Sequence, residues 1–362
     1  MTPRPSSLLP GQRLRARASG SNDTGRFEGS TRQAFDDGWD IPHAEHLVQT
    51  EVRLERPRSA ITYNRSPDLP FDRSVNPYRG CEHGCIYCFA RPSHAFLNLS
   101  PGLDFETRLI ARPGIGAVLQ GELRARSYRV APIALGTNTD PYQPCEASHR
   151  VMREVLEVLA ACDHPLAITT KGTLVERDID LLAPMAAKGL ARVGISFTTL
   201  DPDLARRMEP RAPAPQRRLL TIRRLSQAGI PVRVMVSPLV PGLSDSELEA
   251  ILEAARDAGA EAASMISLRL PLEVSPLFRD WLAQHYPDRA AKVMGRVREL
   301  HGGRDYDPEW GKRFRGQGLW ADLMAQRFDK AVARLGLAVQ RPPLRADLFR
   351  PPPRESAQLS LF

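Results

Sequence analysis

The 362-residue chain is 42% hydrophobic and 6% aromatic, enough apolar side chain for one large domain with extensions or for two modest ones. No run approaches the roughly 20 apolar residues that cross a bilayer. The N-terminus has no apolar secretory core, and five cysteines is an odd count for a secreted disulfide scaffold, so we expect a cytoplasmic protein with no membrane partner. The net charge of +8 is carried mostly by arginine. It suits a polyanionic partner, and equally an arginine-rich composition with no binding role.

Residues 1–60 are polar, rich in Arg, Gly, Ser and Pro, and nearly aperiodic. They are expected to form a mostly disordered basic extension, with one short ordered piece near HAEHLVQTEVRLER. From residue 61 to 270 the pattern changes. APIALGT (131–137), PLAITTKG (165–172), ARVGISFTT (191–199), PVRVMVSPLVPG (231–242) and EAASMISLRL (261–270) are short apolar runs that read as buried strands. Between them SHRVMREVLEVLAAC, RDIDLLAPMAAKGL, PQRRLLTIRRLSQAGI and SDSELEAILEAARDAGA carry apolar residues at helical spacing. The last of these helices opens on a capping-box pair, Ser244 and Glu247.

Strands apolar throughout and joined by helices indicate a parallel sheet covered by helices. The expected class is therefore α/β, as a partial (β/α)6-type TIM barrel of parallel strands. Function in such barrels collects at the C-terminal ends of the strands, which here read GTNTDPYQ, TTKG, SFTT and SPLVPG. Residues 271–340 have a helical period broken by HGGRDYDPEWGKRFRGQG, a C-terminal helical extension. Residues 341–362 are Pro-rich and read as a flexible tail.

Three of the five cysteines, Cys81, Cys85 and Cys88, fall within CEHGCIYC, a C-x3-C-x2-C spacing that brings three thiolates to one loop. A closed structural site needs four ligands. His83 or His94 would complete a zinc site, and Cys85 with Cys88 would form a redox pair that leaves Cys81 unused. A cubane iron–sulfur cluster on three cysteines uses the whole motif and keeps its fourth iron open. Too few cysteines remain for a second cluster of that kind.

CEHGCIYC ahead of a βα barrel resembles the signature of the radical S-adenosylmethionine (radical SAM) enzymes. PDLPFDRSVNPYRGCEHGCIYCFARPSH is similar to the branch called DNA repair photolyase-like, related to spore photoproduct lyase. GTNTDPYQPCE, TTKGTLVERDIDLL, the run from EPRAP to VPGLSD and RGQGLWADLMAQRF extend the likeness from Pro67 to Leu335. The resemblance implies a [4Fe-4S] cluster on Cys81, Cys85 and Cys88, with S-adenosylmethionine chelating the open iron. An external electron donor then drives cleavage to methionine and a 5′-deoxyadenosyl radical that abstracts hydrogen from the substrate.

It also implies roles for other side chains. Tyr87 would contact the adenine, or else pack the loop. Thr137 and Thr139 stand where the superfamily holds the amino group, and Asp140 would help or cap the next helix. Lys171, in a chain that otherwise uses arginine, would meet the methionine carboxylate, or else be a solvated surface lysine. Ser196 fits a ribose hydroxyl, Ser237 fits the adenosyl part, and Arg211 competes with Arg206, Arg207 and Arg217 as a cationic contact.

Spore photoproduct lyases return hydrogen to the substrate from a cysteine that corresponds to Gly136 here. Cys145, nine residues further on, is the candidate donor that could take its place. The likeness suggests nucleic acid as the target. The alternatives are a small molecule, peptide or protein, or a non-catalytic iron–sulfur or zinc protein. The last five residues, QLSLF, resemble the motif that docks bacterial repair proteins on the replication sliding clamp. Gln358 would sit at the rim of an apolar pocket filled by Leu359, Leu361 and Phe362. The segment RADLFRP offers a second Leu-Phe pair, Leu348 and Phe349, so the tail could pack on the barrel instead.

Overall fold

The computed structural model describes residues 17–29 and 48–353. In chain order the strands are β1 (Glu51–Leu54), β2 (Ile61–Tyr63), β3 (Arg73–Val75), β4 (Tyr78–Arg79), β5 (Arg108–Ala111), β6 (Ile133–Leu135), β7 (Leu166–Thr170), β8 (Ala191–Phe197), β9 (Val232–Leu239) and β10 (Ala262–Ser267). The helices are α1 (Asp104–Thr107), α2 (Ile115–Leu123), α3 (Glu146–His149), α4 (Val151–Ala161), α5 (Ile179–Ala187), α6 (Pro202–Met208), α7 (Pro215–Gln227), α8 (Leu248–Asp257), α9 (Val274–His285), α10 (Pro287–Leu300) and α11 (Leu319–Leu335).

The main sheet has the order β10-β9-β8-β7-β6-β3-β2. Its strands from β3 to β10 are parallel, and only β2 runs antiparallel at the edge. Six parallel strands in an open curl form the partial barrel expected from the sequence, and the sheet does not close. Every one of the five apolar runs became a strand. The reason is visible in β8, where six of seven residues are buried because helices cover one face and the barrel interior fills the other. The helical runs turn their apolar residues onto that sheet: Val151, Met152, Val155, Leu156 and Leu159 of α4, and Leu248, Ile251, Leu252 and Ala255 of α8.

The capping box did not form. Ser244 Oγ accepts from Val240 N at 3.1 Å, and Glu247 reaches across to Leu200 N at 2.7 Å, tying α8 to the loop after β8. Parts of the expected disordered extension are also folded. Ala18, Ser19 and Ser21 are buried, and β1 lies parallel to β5 in a small three-stranded sheet with β4. The cause is Glu106, a fully buried carboxylate that accepts from Ala18 N and Ser19 N at 3.2 and 3.0 Å. A polar segment with no apolar period is held by hydrogen bonds to a buried charge, which periodicity does not register.

Helices α9 and α10 form a second core with Ile86 and Tyr87 of the cysteine loop, centred on Trp281 and Phe278. Helix α11 joins the main core through Trp320, Met324 and Phe328. Phe349 stacks edge-on against His164 and Tyr128 at 5.1 and 5.7 Å, so the Leu-Phe pair of RADLFRP does pack on the barrel. The QLSLF motif lies outside the described residues. No helix among the described residues is long and apolar enough to cross a membrane.

Candidate active site

The cysteine loop leaves β4 and needs two left-handed glycines, Gly80 (φ 76°) and Gly84 (φ 65°). A Cβ on Gly84 would stand 2.7 Å from Glu106 Oε2. Arg91, itself fully buried, holds the turn. Its guanidinium donates to Cys85 O, Gly84 O and Gly102 O at 2.9–3.0 Å and to Glu106 Oε1 at 2.6 Å. Five donors in a fixed fork suit one side chain to pin several carbonyls at once. Cys81 N donates to Phe105 O at 2.9 Å and Ile86 N to Met208 O at 3.0 Å, which fastens the loop at both ends.

The three cysteines share one wall of a cleft that opens to solvent. The other walls are the C-terminal ends of the parallel strands: Gly136 and Asn138 to Asp140 after β6, Thr169 to Lys171 at β7, and Ser196 on β8. They continue with Met235 and Ser237 on β9 and Ile266 to Arg269 at β10. The cleft thus gathers Tyr87, Thr139, Asp140, Lys171, Ser196 and Ser237 with the cysteines. Thr137, Cys145 and Arg211 do not line it. Cys145 begins α3 within the main core, where burial pushes its thiol up. Arg211 pairs outside the cleft with Glu82 at 2.9 Å.

Each wall residue is fixed by its neighbours. Lys171 Nζ donates to Ser196 Oγ at 3.1 Å, and Ser196 Oγ donates to Ser237 O at 3.0 Å. This relay joins β7, β8 and β9 across the cleft floor. The Lys171 ammonium also sits 5.7 Å from the Tyr87 ring centroid. Burial would lower its pKa, but Cys85 and Glu209 hold it above the usual lysine value. Lys171 is therefore charged and directed into the cleft rather than solvated.

Asp140 is the buried hub behind β6 and β7. It accepts from Thr170 Oγ1 at 2.6 Å, Lys171 N at 2.7 Å and Tyr142 N at 2.9 Å, and pairs with His83 Nδ1 at 3.3 Å. Burial alone would raise its carboxyl, yet His83 and these donors hold it at about 2. Thr139 spends its hydroxyl proton on Tyr78 O at 3.0 Å.

Gly136 adopts φ 84°, and a Cβ there would come 1.9 Å from Thr169 O. Gly136 therefore has no room for a side chain in this backbone.

The sequence reading missed the pair that holds Tyr87. The Tyr87 hydroxyl donates to Glu209, which is ion-paired with Arg218, and Thr198 Oγ1 donates to the same carboxylate at 2.8 Å. Arg218 also donates to Ser196 O at 2.9 Å and Pro213 O at 2.8 Å. Both Glu209 and Arg218 are almost fully buried. Burial would raise the Glu209 carboxyl, but Arg218 and Lys171 keep it at about 2. A signal was present. Glu209 continues the buried stripe Leu204, Ala205 and Met208 of α6, and Arg218 lies on the buried face of α7 with Ile222 and Leu225. A charge on an apolar helical face requires a buried partner.

Burial pushes the Cys81 thiol well up, with Asp140 adding to it, and takes Cys85 up to about 12 against the pull of Lys171. None of the five cysteines is in a disulfide. Among the described residues no three His, Cys, Asp or Glu side chains meet around one metal-ion position. A cluster takes each thiolate on a different iron, which three thiols spread along one cleft wall suit. His94 is also turned away, with Nε2 at 2.9 Å from Arg108 O. The donor set fits a polynuclear cluster.

Comparison with known proteins decides the family, because the radical SAM superfamily pattern matches residues 75–255, half of the chain. The chain belongs to the radical SAM superfamily. Radical SAM proteins are enzymes that use a [4Fe-4S] cluster and S-adenosylmethionine, and radical SAM chemistry is the activity class of this chain. An uncharacterized protein of Mycobacterium tuberculosis is 38% identical over 300 residues, 81% of this chain and 83% of that one. An uncharacterized protein of Methanocaldococcus jannaschii is 25% identical over 174 residues, 48% of this chain and 62% of that one.

Among solved structures, spore photoproduct lyase complexed with dinucleoside spore photoproduct has the same fold. The TM-score is 0.57 at 16% identity, covering 80% of this chain and 82% of that one. A mutant of that lyase with bound AdoMet and the same dinucleoside gives 0.57 at 15% identity, with the same coverage.

Proposed function

We propose that Cys81, Cys85 and Cys88 hold the cluster, that the strand ends hold S-adenosylmethionine, and that the radical acts on nucleic acid. The observation that carries this reading is the single cleft in which three thiols face five polar strand ends. Once reduced by an external donor, a cluster held by these cysteines would supply the electron for cleavage of S-adenosylmethionine to methionine and a 5′-deoxyadenosyl radical.

The protein's part is binding, orientation and exclusion of water. Lys171, charged and braced on Ser196, meets the methionine carboxylate. Thr139 keeps free lone pairs beside its backbone oxygen for the amino group. Tyr87 presents its ring to the adenine because Glu209 fixes its hydroxyl. Ser237 contacts the adenosyl part. Asp140 acts as a positioning residue, since its oxygens are occupied by Thr170, Lys171 N, Tyr142 N and His83.

Nucleic acid is favoured by the +8 net charge and by the fold shared with a lyase whose complex holds a dinucleoside photoproduct. The donor arrangement differs from that of the lyases, because Gly136 excludes a thiol and Cys145 sits off the cleft. Hydrogen return therefore uses another group, or the product radical ends differently. Residues 358–362 tether the enzyme to the sliding clamp.

The test is anaerobic incubation of the reduced holoenzyme with S-adenosylmethionine and ultraviolet-irradiated DNA, followed by mass spectrometry of the digested nucleosides. Photoproduct loss or a new nucleoside, absent without S-adenosylmethionine, is expected. Unaltered DNA accompanied by full S-adenosylmethionine cleavage would contradict the substrate reading. Capture on immobilised clamp that survives deletion of residues 358–362 would contradict the tether.

A further inference from the structure

The cleft reaches the surface at Phe89, which lines it and is 43% exposed. Arg269, two residues past the end of β10, shares that wall. Its guanidinium carbon lies 4.3 Å from the Phe89 ring centroid and 4.6 Å from that of Phe314. Arg313 covers Phe314 in turn, at 4.7 Å. Arginine and phenylalanine thus alternate from the cleft wall into the long loop between α10 and α11. That loop is fastened to the sheet, since Ser267 N donates to Phe314 O at 3.3 Å and Ser267 Oγ to Arg315 O at 3.4 Å.

The two guanidinium groups differ in one respect. Arg313 is neutralised by Asp68, with N–O distances of 2.6 and 2.8 Å. Around Arg269 stand the Tyr306 hydroxyl, Arg313 and Cys88, and no carboxylate among the described residues. A guanidinium held between two rings is already oriented, and the N–H donors that the Tyr306 hydroxyl does not take remain for an anion.

The same loop carries Trp310, 60% exposed, and Arg304 and Arg315, both exposed and without an ion pair among the described residues. The Phe89–Arg269–Phe314–Arg313 alternation, continued by an exposed aromatic on the same loop, suits a chain that offers phosphate and base alternately. The rings can reach a base only where it is unstacked, so a single strand or a flipped nucleotide fits and an intact duplex does not.

We propose that Arg269, clamped between Phe89 and Phe314, reads a phosphate of single-stranded or locally unstacked nucleic acid at the cleft mouth, with Trp310 stacking on a neighbouring base. This rests on the nucleic-acid reading given above. It names the group that places the reacting nucleotide over the cleft.

The experiment uses the full-length reconstituted holoenzyme. Fluorescence anisotropy measures affinity for a labelled strand of about 12 nucleotides and for its duplex, across salt concentrations. Equilibrium dialysis measures S-adenosylmethionine affinity. Arg269→Gln is expected to weaken single-strand binding about tenfold and to lower the salt slope by about one, with S-adenosylmethionine affinity within about twofold of wild type. Arg269→Lys recovers part of the loss. Trp310→Ala, at an exposed position that folding does not need, weakens the single strand about tenfold and the duplex much less.

Wild-type DNA binding that Arg269→Gln leaves unchanged would overturn this inference alone. So would a loss of S-adenosylmethionine affinity, which would assign the guanidinium to the cofactor. Should Arg269→Gln melt early, an unaltered Trp310→Ala would overturn it instead. A wild-type enzyme that binds neither strand nor duplex would overturn the nucleic-acid reading and this inference with it.

Discussion

Glu209→Gln removes a charge and keeps the shape. In the folded protein the Glu209 carboxylate faces Arg218, Tyr87 and Thr198, and it is 2% exposed. The substitution leaves the buried Arg218 guanidinium with neutral partners alone, Pro213 O, Ser196 O and the glutamine oxygen. Removing one member of a buried ion pair costs about 3–5 kcal/mol. Those two carbonyls and the glutamine oxygen soften the loss, so about 3 kcal/mol is expected. For a domain of this size that is a fall in Tm of about 4 °C.

Urea unfolding of the reconstituted protein measures the cost directly, and S-adenosylmethionine affinity falls alongside because Tyr87 and Ser196 lose their brace. The double variant with Arg218→Met should be less damaged than the two single effects added together. A cost under about 1 kcal/mol, or strict additivity, would refute the view that this pair supports the cleft.

His164 gives a pH signature. Its Nε2 accepts from Tyr128 at 2.7 Å and its Nδ1–H donates to Pro165 O at 2.9 Å, and burial lowers its pKa to about 4. The unfolded chain binds that proton from about pH 6.5 downward, so stability is full above pH 6.5 and declines toward pH 4 by at most about 1.4 kcal/mol per unit. His164→Asn should flatten the slope of urea midpoint against pH in that window, and an unchanged slope would contradict the assignment.

Gly136→Ala, with its Cβ placed 1.9 Å from Thr169 O, should cost more than about 3 kcal/mol by thermal melting, and a neutral effect would show that the turn relaxes. Cys145→Ala should retain iron content and product formation. A variant that forms 5′-deoxyadenosine but no nucleoside product would restore Cys145 as the hydrogen donor.

Much of the barrel was legible because its strands are apolar on both faces and its helices keep one apolar stripe. APIALGT and ARVGISFTT needed no tertiary information to be read as strands. Lys171, Ser196 and Ser237 line one cleft with the cysteines because they stand where apolar strands stop, while the roles proposed for them come from the family resemblance. What escaped was held by charge rather than by period. Ala18 and Ser19 fold onto Glu106, Glu247 leaves its helix for Leu200, and Glu209 joins Arg218, each a long-range pairing that no local pattern encodes. Cys145 was drawn toward the site by its nearness in sequence to the β6 end, yet α3 turns it into the core.

The most direct measurement is 5′-deoxyadenosine formed per chain by the reduced, anaerobically reconstituted protein. It is compared with a Cys81→Ala/Cys85→Ala/Cys88→Ala variant treated identically. The wild type should bind about four iron atoms and release 5′-deoxyadenosine when S-adenosylmethionine is added, and the variant should do neither. A wild type that carries its iron and releases none, or a variant that releases as much, would contradict the assignment of these three cysteines and this cleft.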